Sequence, residues 1–341
     1  MKKIIIHPYF DAVWCSYFIK GLIDLYGFDN IGFSKEGFPE VDDRSNMGDS
    51  SFMYFILNSN GKQIKFSIDA MDTYEYHYPT LEWCDVYAKV NTDPNYKPEK
   101  HAHKITPSAP HFPIRPGNYY QIVSMALRTF EFGLKSYKGH FKKHFYRAFK
   151  YGRPIESFTP RPSQKNYIFM SSTYWKKNVD TNNSRVNFFR AAKAVPGMVF
   201  EGGFFERVDK MPIPYPDLIY KKPSKGDYLD KVYKSTVVFT NPSVYGAHSF
   251  RISEYLVMGK AILAPPLLRL TTYPLVHGEH IHFVEAEYEA LKEAIEKINS
   301  DDAYREKLEK GARSYYENYG RPMKMMEKVI AFGESQVTAG K

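Results

Sequence analysis

The chain has 341 residues, 43% of them apolar and 25% charged, which suits a folded protein with room for two ordinary cores and excludes a disordered one. Its two cysteines, Cys15 and Cys84, form no CxxC pair, which excludes a disulfide scaffold or zinc framework and fits a reducing cytoplasm. A net charge of +9 points to an anionic partner, without choosing between nucleic acid, anionic lipid and phosphorylated small molecules.

The opening MKKIIIHPYF has too few consecutive apolar residues for an export signal, and no stretch reaches the length of a membrane span. Lys2 to Ile6 reads as a buried strand stopped by His7 and Pro8, and Ala12 to Tyr26 as a helix ending at Gly27. Ser51 to Leu57 and Gln63 to Ile68 read as strands. The short turn between them, Asn58 to Gly61, predicts a hairpin. Asp85 to Val90 is a further strand. Residues 92 to 118 hold many Pro and His residues and read as an irregular connection. His101, His103 and His111 lie in it, but no Cys or carboxylate completes a metal-ligand set, so they read as a basic loop. Residues 119 to 151 read as helical. The proline-rich stretch 152 to 166 marks a domain boundary.

The second half alternates strand and helix. Strands are expected at Tyr167 to Met170, Met198 to Phe200, Thr236 to Thr240, Ala261 to Ala264 and His282 to Val284. Helices are expected at Ser184 to Ala194, Tyr228 to Ser235, Phe250 to Met258, Tyr288 to Asn299 and Ala303 to Tyr319. This alternation predicts an α/β domain with a parallel, doubly wound sheet.

The most informative stretch is TVVFTNPSVYGAHSFRISEYLVMGKAILAPP, residues 236 to 266. It reads strand, polar loop, helix, glycine, strand. A loop leaving the carboxyl end of a buried strand is where open α/β sheets bind ligands, and the following helix N-terminus favours an anion. Arg251 in the first turn can fork onto phosphate oxygens, and Glu254, three residues on, lies on the same helix face and can accept from two vicinal hydroxyls. Ser172 to Lys177, STYWKK, follows the first strand of the second half. Its lysines, Lys177 among them, suit either a diphosphate or a solvated basic loop, and Asn183 and Arg185 stand near the next helix start. Tyr215 to Tyr220 offers either base stacking or loop packing. Aromatic residues, 16% of the chain, are read chiefly as core and surface filler, although Tyr and Phe ring faces also suit sugar-lined clefts.

The 236–266 string resembles the nucleotide-sugar motif of GT-B glycosyltransferases, closest to group-1-like and exostosin-like members. The matching residues are Gly246, His248, Ser249, Arg251, Glu254, Gly259 and Lys260. The resemblance implies two Rossmann-like domains facing a cleft, with a C-terminal helix crossing back to the N-terminal domain. Residues 1–160 would bind the acceptor, 161–320 the nucleotide-sugar, and 321–341 would form the returning helix and tail. Donor-binding residues would be Gly246, His248, Ser249, Phe250, Arg251, Glu254 and Lys177, with Gly203 in the stretch VFEGGFFER. Retaining members carry a second glutamate eight residues before this one. Gly246 stands there, which leans towards inversion.

An inverting transfer needs one general base in the first domain. The strand ends offer His7, Asp11, Asp69 and Asp72, with Asp11 and His7 ranked first. No D-x-D triplet occurs, so neither a metal nor another cofactor is expected. The implied activity is transfer of a sugar from a nucleotide-sugar to a saccharide or lipid-linked saccharide, in bacterial surface-polysaccharide assembly. A nucleotide-sugar 2-epimerase and a basic nucleic-acid-binding protein are the alternatives. The second is disfavoured because no nucleic-acid-binding fingerprint is present. Residues 135 to 153 carry seven Lys and Arg and no acidic residue, and Tyr137, Phe141, Phe145 and Phe149 recur every four positions. That pattern suits either a helix packed on the core or one lying on an anionic membrane surface, so the protein is expected in the cytoplasm or peripherally on the inner face of the membrane.

Overall fold

The computed structural model describes residues 3–39, 51–59, 61–130, 132, 146, 150, 152–207 and 209–339. The chain is α/β and divides into two compact units. The first comprises Met1–Ser157, Arg269–Tyr273 and Tyr319–Lys341, and the second Phe158–Leu268 and Pro274–Asn318.

In the first unit β1 (Lys3–Ile6), β2 (Ile31–Phe33), β3 (Phe52–Ser59), β4 (Lys62–Asp69), β5 (Val86–Lys89) and β6 (Ile105–Pro107) form one sheet in the order β2-β1-β3-β4-β5-β6. Only β3 runs against the others. The hairpin predicted from the short turn is present, with Phe52 opposite Asp69 and Ser59 opposite Lys62. Gly61 takes φ 75° in the turn, where a side chain would be strained.

Helix α1 (Ser16–Tyr26) begins later than Ala12. The Asp11 carboxylate accepts the N–H groups of Val13 (2.7 Å) and Trp14 (3.1 Å), which holds residues 12–15 in a turn first. After α2 (Tyr78–Trp83), α3 (Tyr119–Phe130) covers the described part of the helix read over 119 to 151. The basic and aromatic pattern of 135 to 153, including Tyr137, Phe141, Phe145 and Phe149, lies almost wholly outside the described residues.

The second unit contains β7 (Tyr167–Ser172), α4 (Val179–Ala194), β8 (Val199–Phe204), α5 (Lys225–Lys234), β9 (Val238–Phe239), α6 (Phe250–Met258), β10 (Ile262–Ala264), β11 (His282–Phe283), α7 (Tyr288–Ser300) and α8 (Asp302–Tyr315). Helix α4 starts at Val179 and so is longer than the Ser184 start predicted. Every strand pair is parallel: β7 with β8, and β10 between β9 and β11. The Thr236 N–H donates to the Tyr167 carbonyl at 2.7 Å, which sets β9 beside β7. The chain thus leaves β7 for β8 on one side and returns to β9 on the other. That reversal is a topological switch point. Ile168, Met170, Phe188, Phe239, Leu263 and Ile295 form the centre of the core, with Phe188 stacked on Phe239 at 4.4 Å.

The last helix, α9 (Pro322–Ala339), belongs to the first unit and packs on α1, β4 and β5. A Cβ on Gly21 of α1 would stand 2.3 Å from the Pro322 carbonyl oxygen, so only glycine permits this approach.

Candidate functional site

The site is built on the switch point of the second unit. Strand β7, YIFMSS, is buried throughout and delivers Ser171–Thr173 to its carboxyl end. Strand β9 delivers Thr240 and Asn241. Arg185 spans the two. Its Nε donates to Asn241 Oδ1 at 3.2 Å and its Nη1 to the Thr173 carbonyl at 2.8 Å. Asn241 Nδ2 donates in turn to the Thr181 carbonyl at 3.0 Å. Arg185 is only 3% exposed, and both its acceptors are neutral. Burial, and then the charge of Arg251, pulls its guanidinium down to about 9. It is still a cation at neutral pH, buried beside a second one. Arg251 donates from Nη2 to the Ser171 carbonyl at 2.6 Å. Two guanidinium groups therefore hold carbonyls two residues apart at the end of one strand.

The loop from β9 to α6 turns through two successive left-handed residues, Tyr245 (φ 56°) and Gly246 (φ 71°). Glycine accommodates this conformation freely, and tyrosine does so at a cost. The turn brings Ser249 to the head of α6, where its Oγ accepts the Arg251 N–H at 3.4 Å. Gly259 (φ 63°) closes the helix in the left-handed region.

In front of these loops lies a cavity of about 500 Å³, within the size range of small-molecule sites. Lys177, Asp180 and Thr181 line it from the start of α4, and Asn241 to Ser243, Tyr245 and Gly246 from the β9 loop. Pro265 and Pro266 follow β10 and Glu285 follows β11. All these residues stand at the carboxyl ends of parallel strands, where such sheets bind ligands.

The residues expected to bind a donor are distributed unevenly around this cavity. Lys177 and Gly246 line it. His248 and Ser249 line a shallow recess that shares Gly246. Phe250, Arg251 and Glu254 are half-buried in the first turns of α6, and Tyr228 donates to Glu254 Oε2 at 3.5 Å. Gly203 lies elsewhere, inside β8. A Cβ there would sit 2.2 Å from the Leu218 carbonyl oxygen, so this glycine serves close backbone packing. Lys260 is fully buried before β10, donating to Ser163 Oγ (2.6 Å) and the Tyr233 carbonyl (2.8 Å). From YPDLIY, Tyr215 packs on Tyr174 and Phe204, and Tyr220 donates to Glu201 at 2.7 Å.

In the first unit His7 and Asp11 both follow β1 and are buried. The His7 ring is boxed by Tyr9, Phe38 and Tyr54, and its Nδ1 accepts the Tyr9 N–H at 3.4 Å. Burial lowers it to about 4, so the imidazole is neutral at pH 7. Asp69 is held by Lys89 (2.6 Å) and the Tyr87 hydroxyl (2.7 Å), with both charged groups fully buried. That geometry belongs to a structural ion pair. His111 packs its ring on Phe18 and Tyr17.

Arg185, placed by the sequence near a helix start, also carries a positional signal of its own. Arg185 occupies the same helical face as Thr181, Phe188, Phe189 and Ala192, and a cation on an otherwise apolar stripe marks a special role. Glu285 has no local signal, since only the end of β11 brings it to the cavity.

Among solved structures, the chain is similar to a glycosyltransferase from Rickettsia africae, at 12% identity and TM-score 0.45, over 78% of this chain and 69% of that one. It is also similar to the UDP-bound MnaA of S. aureus, at 11% identity and TM-score 0.38, over 96% and 79%. HepE of Anabaena in complex with UDP-glucose matches at 10% identity and TM-score 0.39, over 75% and 80%. No protein-family model and no curated protein matches the chain.

Proposed function

We propose that this chain is a GT-B-type glycosyltransferase that takes a nucleotide-sugar in the cavity of its second unit. The observation that carries the proposal is the set of groups converging on the carboxyl ends of the parallel strands. A lysine, the glycine turn and capped N-terminus of α6, and two neighbouring guanidinium groups stand at a switch point beside a cavity of about 500 Å³. Lys177 and the α6 N-terminus would take the diphosphate. Glu285, with Glu254 behind the loop, would accept from hydroxyls of the ribose or sugar. Basic groups in place of a D-x-D triplet fit metal-independent binding.

In the transfer, a base in the first unit removes the proton of an acceptor hydroxyl. The oxygen then forms a bond to the anomeric carbon while the bond to the diphosphate breaks, and the nucleoside diphosphate leaves with the electron pair. His7 and Asp11 are the candidate bases: burial lowers His7 to about 4, which weakens it as a base, and the Asp11 carboxylate already holds two backbone amides. A single displacement inverts the anomeric centre.

A lipid-linked acceptor is favoured by α3. Tyr120, Val123, Leu127 and Phe130 are exposed along one stripe of this helix, and the basic sequence 135 to 153 follows it. Among the described residues no helix is long and apolar enough to cross a membrane. Assembly of a bacterial surface polysaccharide is the setting this acceptor suits.

Thermal shift with UDP, GDP, CMP and dTDP tests the donor site, because a ligand of the folded state raises the melting temperature. At least one nucleotide should do so, and free sugar should not accumulate from donor alone, as it would with an epimerase. Silence across all four nucleotides overturns the assignment.

A further inference from the structure

The segments that follow β4 and β5 in the first unit, the start of α2 included, carry a cluster of tyrosines. Tyr74, Tyr78 and Tyr96 are 38%, 50% and 39% exposed, whereas Tyr76 beneath them is 7% exposed. The rings are fixed against one another. Tyr96 stacks on Tyr76 at 5.8 Å and meets Tyr74 edge-on at 5.8 Å. The Tyr76 hydroxyl donates to the Tyr96 carbonyl at 3.4 Å. Below, the buried Lys89 ammonium lies 5.5 Å from the Tyr76 ring, and Asn91 ties the two loops together by donating to the Met71 carbonyl at 2.8 Å. At the rim the Arg269 guanidinium lies 5.0 Å over the Tyr74 ring and pairs with Asp93 at 2.7 Å.

This surface is aromatic and rimmed by hydroxyls, and the Asp93–Arg269 pair at its edge is fixed. Rings held in place at partial exposure present flat apolar faces at little further entropic cost on binding. Such faces suit the C–H side of a pyranose, while phenolic hydroxyls and a fixed Asp–Arg pair suit its hydroxyl groups. The cluster also stands beyond the carboxyl ends of two parallel strands, the ligand edge of an open sheet. We infer that Tyr74, Tyr78 and Tyr96, with Asp93 and Arg269 at the rim, form a stacking platform for a neutral saccharide. As the acceptor subsite, it rests on the glycosyltransferase reading. As a sugar-binding surface, it stands on the geometry of the first unit alone.

Saturation-transfer NMR on the full chain, with maltotetraose, cellotetraose and chitotetraose as probes, tests the platform. Ring C–H protons of at least one tetrasaccharide should receive saturation. Tyr74→Ala with Tyr96→Ala should weaken that binding by about tenfold or more, as loss of stacking anchors does. Tyr74→Phe keeps the ring face and should bind nearly as the parent does. Melting temperature reports on folding, and the nucleotide-induced thermal shift should survive in all variants. Failure of every tetrasaccharide to bind, or equal binding by the double alanine variant, overturns the platform. Saccharide binding that depends on the tyrosines without any nucleotide response would keep the platform and remove the glycosyltransferase reading.

Discussion

Arg185 reaches across the switch point of the second unit to Asn241, Nε to Oδ1 at 3.2 Å, and so fixes the loop that faces the cavity. The bond places a buried cation behind a ligand site without neutralising it. Arg185→Met should cost about 1–3 kcal/mol of stability through the two lost hydrogen bonds, and nucleotide affinity should fall with it. Arg185→Lys keeps the charge but cannot hold Asn241 and Thr173 together, so it should recover only part of the binding. Urea unfolding and calorimetry check both variants. Full affinity in Arg185→Met would show that the bridge is dispensable.

Arg251→Ala and Glu254→Ala should each weaken nucleotide-sugar binding by about 1–3 kcal/mol, the range of charge-assisted hydrogen bonds. Calorimetry with the nucleotide found by thermal shift is the measurement. Unchanged affinity in both would leave the α6 N-terminus without a donor role.

EDTA should leave transfer activity largely intact. Activity abolished by EDTA and restored by Mn²⁺ would place a metal on the diphosphate and displace the basic groups from that role.

The Asp69–Lys89 pair predicts an asymmetric mutational response. Lys89→Met leaves a buried carboxylate without its cation and should destabilise the first unit by about 3–5 kcal/mol. Adding Asp69→Asn removes the stranded charge and should return part of that loss. Equal stability of Lys89→Met and the parent, by urea unfolding, would contradict the buried geometry.

His7 predicts a pH dependence with a definite sign. Its folded value, about 4, lies below the ordinary 6.5, so the unfolded chain binds the proton more readily. The neutral ring's contribution is complete above about pH 6.5 and is lost as pH falls towards 4, at most about 3 kcal/mol. His7→Phe should flatten the stability profile between these limits. Other buried histidines, such as His282, titrate in both proteins and cancel in the difference. If the same profile remains after His7→Phe, the titrating group is another one.

What the sequence made legible was periodic or capped. The 236–266 string shows its strand, loop and helix because Ser249 and Gly259 are strong end signals and VVF is a buried run. Lys177 and Gly246 could be placed near a ligand edge because strand ends define that edge. The start of α4 was misplaced because all five residues from Val179 to Asn183 are weak helix formers, and tertiary packing overrides their preference. Glu285, Tyr245 and the tyrosine cluster depend on loops from distant strands meeting, which local spacing does not encode. Gly203 resembled a ligand-facing glycine but answers to a backbone contact with Leu218.

The close seat of Pro322 on Gly21 has a consequence for biosynthesis. The helix that covers α1, β4 and β5 is translated only after the whole of the second unit has been translated. During synthesis the earlier-made sheet must wait with that face uncovered until the last helix is made. The amino-terminal unit therefore cannot complete its fold ahead of the second one, and the waiting surface is a natural client for chaperones.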